Sequence, residues 1–191
     1  VKLVLATRNE HKRREFARLF DAHATLEPLP SSVTLPPEDG ETFAENALGK
    51  ARAAAAGTGE VAIADDSGIE ADALGGAPGV RSARYAGEDA TDAENLYKLL
   101  REAPTGSGLR YVCALAYVDP RANVERVFEG ECRGRLADVP RGSRGFGYDP
   151  AFVPDDERGG FTMAELTESE KDEISHRGRA VRELVRWLNA G

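Results

Sequence analysis

An α/β fold built on a mixed sheet is predicted by three features of this 191-residue chain. Apolar, strand-like runs alternate with capped helical segments in its first half. Two β-rich runs, Arg110 to Val118 and Val124 to Glu131, then follow one another directly. A last segment carries Val181, Leu184, Val185 and Leu188 at helical spacing. Alternation of elements at the start with adjacent strands later is the pattern of helices packed on a sheet of mixed direction.

The individual elements read in chain order. Lys2 to Ala6 is a near-continuous apolar run, as in a strand buried on both faces. Thr7 followed by Glu10 has the spacing of a capping box and opens a helix reaching about Phe20. Thr42 and Glu45 repeat that spacing before an alanine-rich helix from Phe43 to about Ala56, with Gly57 as its terminator. Val61 to Ala64 is a second buried strand. Thr91 and Glu94 cap a helix carrying Leu96, Leu99 and Leu100. The Gly- and Pro-rich stretch from Asp138 to Pro154 contains aromatic residues and reads as a structured loop.

Composition bounds the possibilities. A chain of this length buries enough apolar surface to fold without disulfides, as one domain over 1–191 or as two small lobes sharing a core. Cys113 and Cys132 lie in apolar runs, where cysteine acts as a small hydrophobe, so a reducing, cytoplasmic setting is expected. Val1 to Ala6 is too short for a leader or a membrane span, and Arg8, Lys12, Arg13 and Arg14 follow it. A soluble protein with no membrane role is expected. The formal net charge of -8 argues against binding DNA or RNA through phosphate neutralisation. An anionic ligand must therefore meet a local basic cluster.

Such clusters exist. The turn Thr7-Arg8-Asn9-Glu10-His11-Lys12 places cations at a helix N-terminus, against the positive end of the dipole. A bound phosphate would offset that cost and accept backbone N–H bonds; the alternative is that these side chains bend into water. Asp65-Asp66-Ser67-Gly68 follows the strand Val61 to Ala64, where α/β ligands gather. Adjacent carboxylates there call for a hard divalent cation such as Mg²⁺, which needs one or two protein carboxylates plus substrate phosphates. The same four residues also make an ordinary turn. Glu38, on the loop before the second helix, could reach the same ion or stand in solvent. Glu45 is explained by its capping role, and Lys50 reads as a solvated lysine. In Gly145-Phe146-Gly147-Tyr148-Asp149-Pro150 the two aromatics could stack on a base or pack into the core. Lys171, His176 and Arg177 supply donors near the start of the last helix.

Taken together these signals make one set: phosphate donors, a metal-binding carboxylate pair and a base-stacking loop. The runs Ala6 to Lys12, Phe43 to Ala47, Ala64 to Gly68, Pro78 to Tyr85, Phe146 to Pro150 and Ser175 to Arg177 closely resemble the inosine triphosphate pyrophosphatase (Ham1-like) family, in that family's order. The resemblance implies a two-lobed α/β fold around a long mixed sheet, an active-site cleft between the lobes, and a homodimer. It implies hydrolysis of ITP, dITP and XTP to the monophosphate and pyrophosphate, which removes deaminated purines from the nucleotide pool. Carried over by motif, Thr7, Arg8, Asn9, Glu10, His11 and Lys12 grip the triphosphate. Asp66 is catalytic base and Mg²⁺ ligand, Glu38 the second ligand, and Ser67 adjoins the substrate. Phe146, Gly147, Tyr148 and Asp149 hold the base, and Lys171, His176 and Arg177 complete the site. The residues alone leave Asp65 as an alternative base. Two rivals stand beside this reading: a Maf-like pyrophosphatase acting on other nucleotides, and a nucleotide-binding protein without catalysis, which would not need the Asp65-Asp66 pair.

Overall fold

The computed structural model of the protein describes residues 1–190. Strand β1 (Lys2–Leu5) is parallel to β2 (Thr25–Pro28) on one side and to β3 (Ala62–Ala71) on the other. Helix α1 (Glu10–Phe20) makes the crossover from β1 to β2, and α2 (Phe43–Thr58) precedes β3. Helix α3 (Asp92–Glu102) leads into β4 (Gly108–Asp119) and β5 (Val124–Leu136). The short β6 (Phe152–Pro154) lies antiparallel to β5. Helices α4 (Glu168–Ile174) and α5 (His176–Ala190) close the chain. The sheet order is β2-β1-β3-β4-β5-β6, so parallel and antiparallel pairs share one mixed sheet, as the order of elements predicts.

Two compact units divide the chain. The first comprises Val1–Asp66, Cys113–Gly130 and the segment beginning at Arg177; the second comprises Ser67–Val112 and Glu131–His176. Leu3, Leu5, Phe16, Phe20, Ile63, Leu115 and Leu184 form the core of the first unit. Ile69, Leu99, Leu109, Leu136, Phe152 and Met163 form that of the second. Each large side chain so buried contributes ~1.5–3 kcal/mol. Cys113 and Cys132 are free and buried, in keeping with their reading as small hydrophobes. Among the described residues no helix is long and apolar enough to cross a membrane.

Several boundaries differ from the sequence expectation, each for a local reason. The cap of α1 is Asn9, whose side chain accepts the Lys12 N–H at 3.1 Å, and no capping box joins Thr7 to Glu10. Thr7 instead accepts the Asn9 N–H from inside the turn, at 3.2 Å. Asparagine caps as well as serine, and the chain places it where the turn ends. Gly57 does not end α2. The helix runs on to Thr58, and Gly59 takes the left-handed cap at φ 71°. Gly57 is required by proximity, since a Cβ there would lie 2.8 Å from Val33 Cγ2. The capping boxes at Thr42/Glu45 and Thr91/Glu94 are both formed. The expected loop from Asp138 contains β6, and β2 has no expected counterpart. Both are short strands with proline at the end, below the length at which alternation is legible.

The largest departure is at β3. The strand does not stop at Ala64: it continues through Asp65-Asp66-Ser67-Gly68 to Ala71. Those four residues are not a turn.

Candidate active site

Within a strand, successive side chains point to opposite faces, so Asp65 and Asp66 cannot share one environment. Asp65 is wholly buried and is held by cations: Lys12 Nζ lies 2.9 Å from its Oδ2 and Arg177 Nε 3.5 Å from the same atom. Burial alone would raise its carboxyl, but the charges of Lys12, Arg177 and Lys50 outweigh burial and hold it well below the ordinary range. Arg177 in turn pairs with buried Glu15 at 2.7 Å. Asp65 is therefore a permanently ionised anchor.

Asp66 has the opposite character. Burial raises its carboxyl above the ordinary value, and the nearby Glu38 carboxylate adds to the rise; Lys50, Lys12 and a hydrogen bond from Asn46 work against it. Asn46 Nδ2 donates to Asp66 Oδ2 at 2.8 Å. Helix α2 brings Asn46 and Lys50 to the same place because they stand four residues apart. Lys50 Nζ donates to Glu38 Oε1 and, at 2.6 Å, to the Asp65 carbonyl oxygen. Burial opposes charge on Lys50, yet Asp65, Glu38 and Asp66 together raise its pKa, so it stays protonated. The first unit thus gathers Asp66, Glu38, Lys50, Asn46, Lys12 and Asp65.

The N-terminal turn makes several bonds of its own. Arg8 spends its guanidinium on loop carbonyls, with Nη1 donating to Leu29 O at 2.8 Å and Nη2 to Pro30 O at 2.7 Å and Val33 O at 3.1 Å. It braces that loop. Glu10 bonds Arg13 at 2.8 Å and pairs with Arg14, which partly offsets the cations at the helix start. The backbone end of α1, Asn9 and Thr7 remain at the turn, and His11 is exposed.

In the second unit the loop from Phe146 to Asp149 divides its aromatics. Tyr148 is buried and donates its hydroxyl to Ser82 O at 2.6 Å, the packed alternative of the two read from the sequence for this ring. Phe146 is half-buried, with Lys171 Nζ 5.3 Å from its ring centroid. Asp149 accepts from Tyr111 Oη at 3.0 Å, from the Phe146 N–H at 3.0 Å and from Lys171 Nζ at 2.7 Å. Gly147 N–H donates to Asp92 Oδ2 at 2.9 Å, tying the loop to the start of α3. His176 is not a surface residue. It is buried and stacked on Tyr111, with ring centroids 4.6 Å apart and planes at 8°. Ser67 follows Asp66 along β3 and is half-buried.

Lys50 and Asn46 were missed as site residues by sequence reasoning, which placed Lys50 in solvent. The signal was present: Phe43, Asn46, Ala47, Lys50, Ala51 and Ala54 make one buried stripe at helical spacing. A polar pair within such a stripe must be satisfied by something functional or structural. Glu15 and Tyr111 carry no comparable mark.

The sequence model of the Ham1 family matches residues 3–187. The chain belongs to the Ham1 family. Relatives of this Ham1 chain include the dITP/XTP pyrophosphatase of Frankia alni, 48% identical over 200 residues and covering 98% of this chain and 97% of the relative. The dITP/XTP pyrophosphatase of Geobacillus kaustophilus is 47% identical over 191 residues, covering 96% and 92% of the two chains. Among solved structures, a HAM1 protein from Coxiella burnetii matches over 100% of both chains, with a TM-score of 0.89 at 39% identity. A nucleoside-triphosphatase / dITP/XTP pyrophosphatase from Mycobacterium abscessus matches over 96% of this chain and 98% of its own, with a TM-score of 0.73 at 42% identity.

Proposed function

We propose that this Ham1 protein hydrolyses dITP, ITP and XTP between the α- and β-phosphates, releasing the nucleoside monophosphate and pyrophosphate. The names of its relatives supply the substrate class. The observation that carries the chemistry is the unlike pair on β3: Asp65 locked as an anion by Lys12 and Arg177, and Asp66 raised by burial beside Glu38. A base must be able to take a proton near neutral pH, and only Asp66 of the two has been moved in that direction.

The donor set fits Mg²⁺. Glu38 and Asp66 are hard oxygen ligands, and the Glu38 carboxylate disfavours charge on Asp66, a repulsion that a divalent cation relieves. Among the described residues no group of three or more His, Cys, Asp or Glu side chains could hold a metal ion. Magnesium does not need such a group, since substrate phosphates and water complete its shell. Asp66 and Glu38 would hold the ion, which when bound neutralises charge on the phosphate oxygens.

The chain's own residues do the rest. Asp66 orients a water molecule and accepts its proton as the oxygen attacks the α-phosphorus, and the bond to the β-phosphate oxygen breaks to free pyrophosphate. Lys50 bonds Glu38 and partly offsets the burial that raises Asp66, and Lys12 with the N-terminal end of α1 stabilises phosphate charge. Phe146, Gly147, Asp149, Lys171 and His176 serve the base, and a 6-oxo purine is selected by donors that a 6-amino group cannot satisfy. Arg177 acts through Asp65. We place the whole activity in one domain over 1–191, in a cytoplasmic homodimer without nucleic-acid or membrane partners.

The deciding experiment is product analysis with dITP and XTP in Mg²⁺. Equimolar pyrophosphate and monophosphate support the proposal. Orthophosphate release, or binding without turnover, would replace it with a phosphatase or a sensor.

A further inference from the structure

Helix α2 reaches the site with two side chains, and each has one end on the loop preceding the helix and the other on β3. Lys50 joins Glu38 to the Asp65 carbonyl. Asn46 joins Gly40 to Asp66: its Oδ1 accepts the Gly40 N–H at 2.8 Å and its Nδ2 donates to Asp66 Oδ2 at 2.8 Å. The two bonds fix the amide's sense, because a flipped carboxamide would set its donor against the Gly40 N–H and its oxygen against a carboxylate. Asn46 is 5% exposed; its bond to Asp66 is buried and that from Gly40 partly so, and an unpaired polar group there is costly. Gly40 permits the approach. A Cβ there would sit 2.7 Å from Asn46 Oδ1 and 3.0 Å from Glu45 Cβ.

We infer that Asn46 is a positioning residue, which with Gly40 sets the place of the Glu38-bearing loop relative to the Asp66 carboxylate. Cutting this link removes none of the groups proposed above to hold the nucleotide. Its loss is therefore read in turnover and not in substrate affinity. This rests on the dITP hydrolysis proposed above for the site itself.

The test combines exchange and kinetics on Asn46→Ala, Asn46→Asp, Gly40→Ala and the Gly40→Ala/Asn46→Ala double variant. Amide hydrogen exchange of the 38–41 segment is measured on nucleotide-free protein, so its answer does not depend on activity. Asn46→Ala should speed exchange at Gly40 at least tenfold. Asn46→Asp keeps an acceptor for Gly40 but sets a carboxylate against Asp66, so it should retain most of that protection. Both should lower kcat for dITP by about 10- to 100-fold with KM changed less than about threefold, the size expected from a small misplacement of reacting groups. Gly40→Ala should be nearly as damaging alone, yet add less than its full cost to Asn46→Ala, since the closer of its two collisions, with Asn46 Oδ1, is gone and only that with Glu45 Cβ remains. Unchanged exchange in Asn46→Ala, unchanged kcat in both Asn46 variants, or additive losses in the double variant would each overturn the inference. Absence of dITP hydrolysis in the wild-type protein would instead remove the functional proposal, leaving the exchange result to judge the Gly40–Asn46 link by itself.

Discussion

Asp65→Asn and Asp66→Asn, two identical substitutions at neighbouring positions, should separate stability from catalysis. Asp65 is fully buried against Lys12 at 2.9 Å and Arg177 at 3.5 Å. Removing one partner of a buried ion pair costs ~3–5 kcal/mol, because the remaining charge stays buried. Arg177 keeps Glu15 at 2.7 Å, which places the expected loss at the lower end, about 3 kcal/mol. For a chain of this size each kcal/mol moves Tm by ~2–4 °C, so Asp65→Asn should melt roughly 6–12 °C lower. Because the folded-state pKa of Asp65 is depressed, its contribution is present above the ordinary value of 3.8 and lost as pH falls through the folded value. The gap between wild type and Asp65→Asn should therefore narrow in acid, below about 3.8. Asp66 has the reverse sign: with its pKa raised by burial, its ionised form is disfavoured by the fold, and stability falls as pH rises above 3.8 through the raised value. An amide at that position still accepts from Asn46, so Asp66→Asn should hold or raise Tm in metal-free buffer while turnover falls roughly 10²–10⁴-fold. Differential scanning calorimetry and pyrophosphate release on the same samples check both. A Tm loss for Asp66→Asn as large as that for Asp65→Asn would refute the division of roles, as would unchanged Tm in Asp65→Asn.

Lys12→Ala should raise KM for dITP and also lower Tm, since it removes a cation from Asp65; a change in neither would refute both its phosphate-binding and its anchoring role. Turnover should vanish in excess EDTA and return with Mg²⁺, and full activity in EDTA would exclude a role for Asp66 and Glu38 as metal ligands. Phe146→Ala should raise KM with little loss of Tm, because the ring is only half-buried, and an unchanged KM would move base recognition elsewhere. With dITP, ITP and XTP compared with ATP and GTP, kcat/KM should favour the first group. One buried donor facing the 6-amino group of ATP costs ~1–3 kcal/mol, a tenfold to hundredfold preference. GTP must be rejected at C2, and equal kcat/KM for ITP, ATP and GTP would defeat the substrate assignment.

The sequence by itself determined the fold class, the mixed sheet and the capped starts of α2 and α3. These follow from short-range rules of alternation, helical spacing and cap chemistry, and they need no distant partner. It also supplied the motifs that mark the family. It could not determine that Asp65-Asp66-Ser67-Gly68 continues a strand, because carboxylates in mid-strand are tolerable only when partners from elsewhere meet them. Here those partners are Lys12 from α1, Asn46 from α2 and Arg177 from α5, the last of them 112 positions away from Asp65. The same holds for Lys50, which looks solvated on an alanine-rich helix until the Glu38 loop and β3 close around it. The roles of the two aspartates are a matter of burial and charge in three dimensions. Adjacent in the chain and identical in chemistry, they were separated only when the pleat of β3 turned one toward two cations and the other toward Glu38 and Asn46.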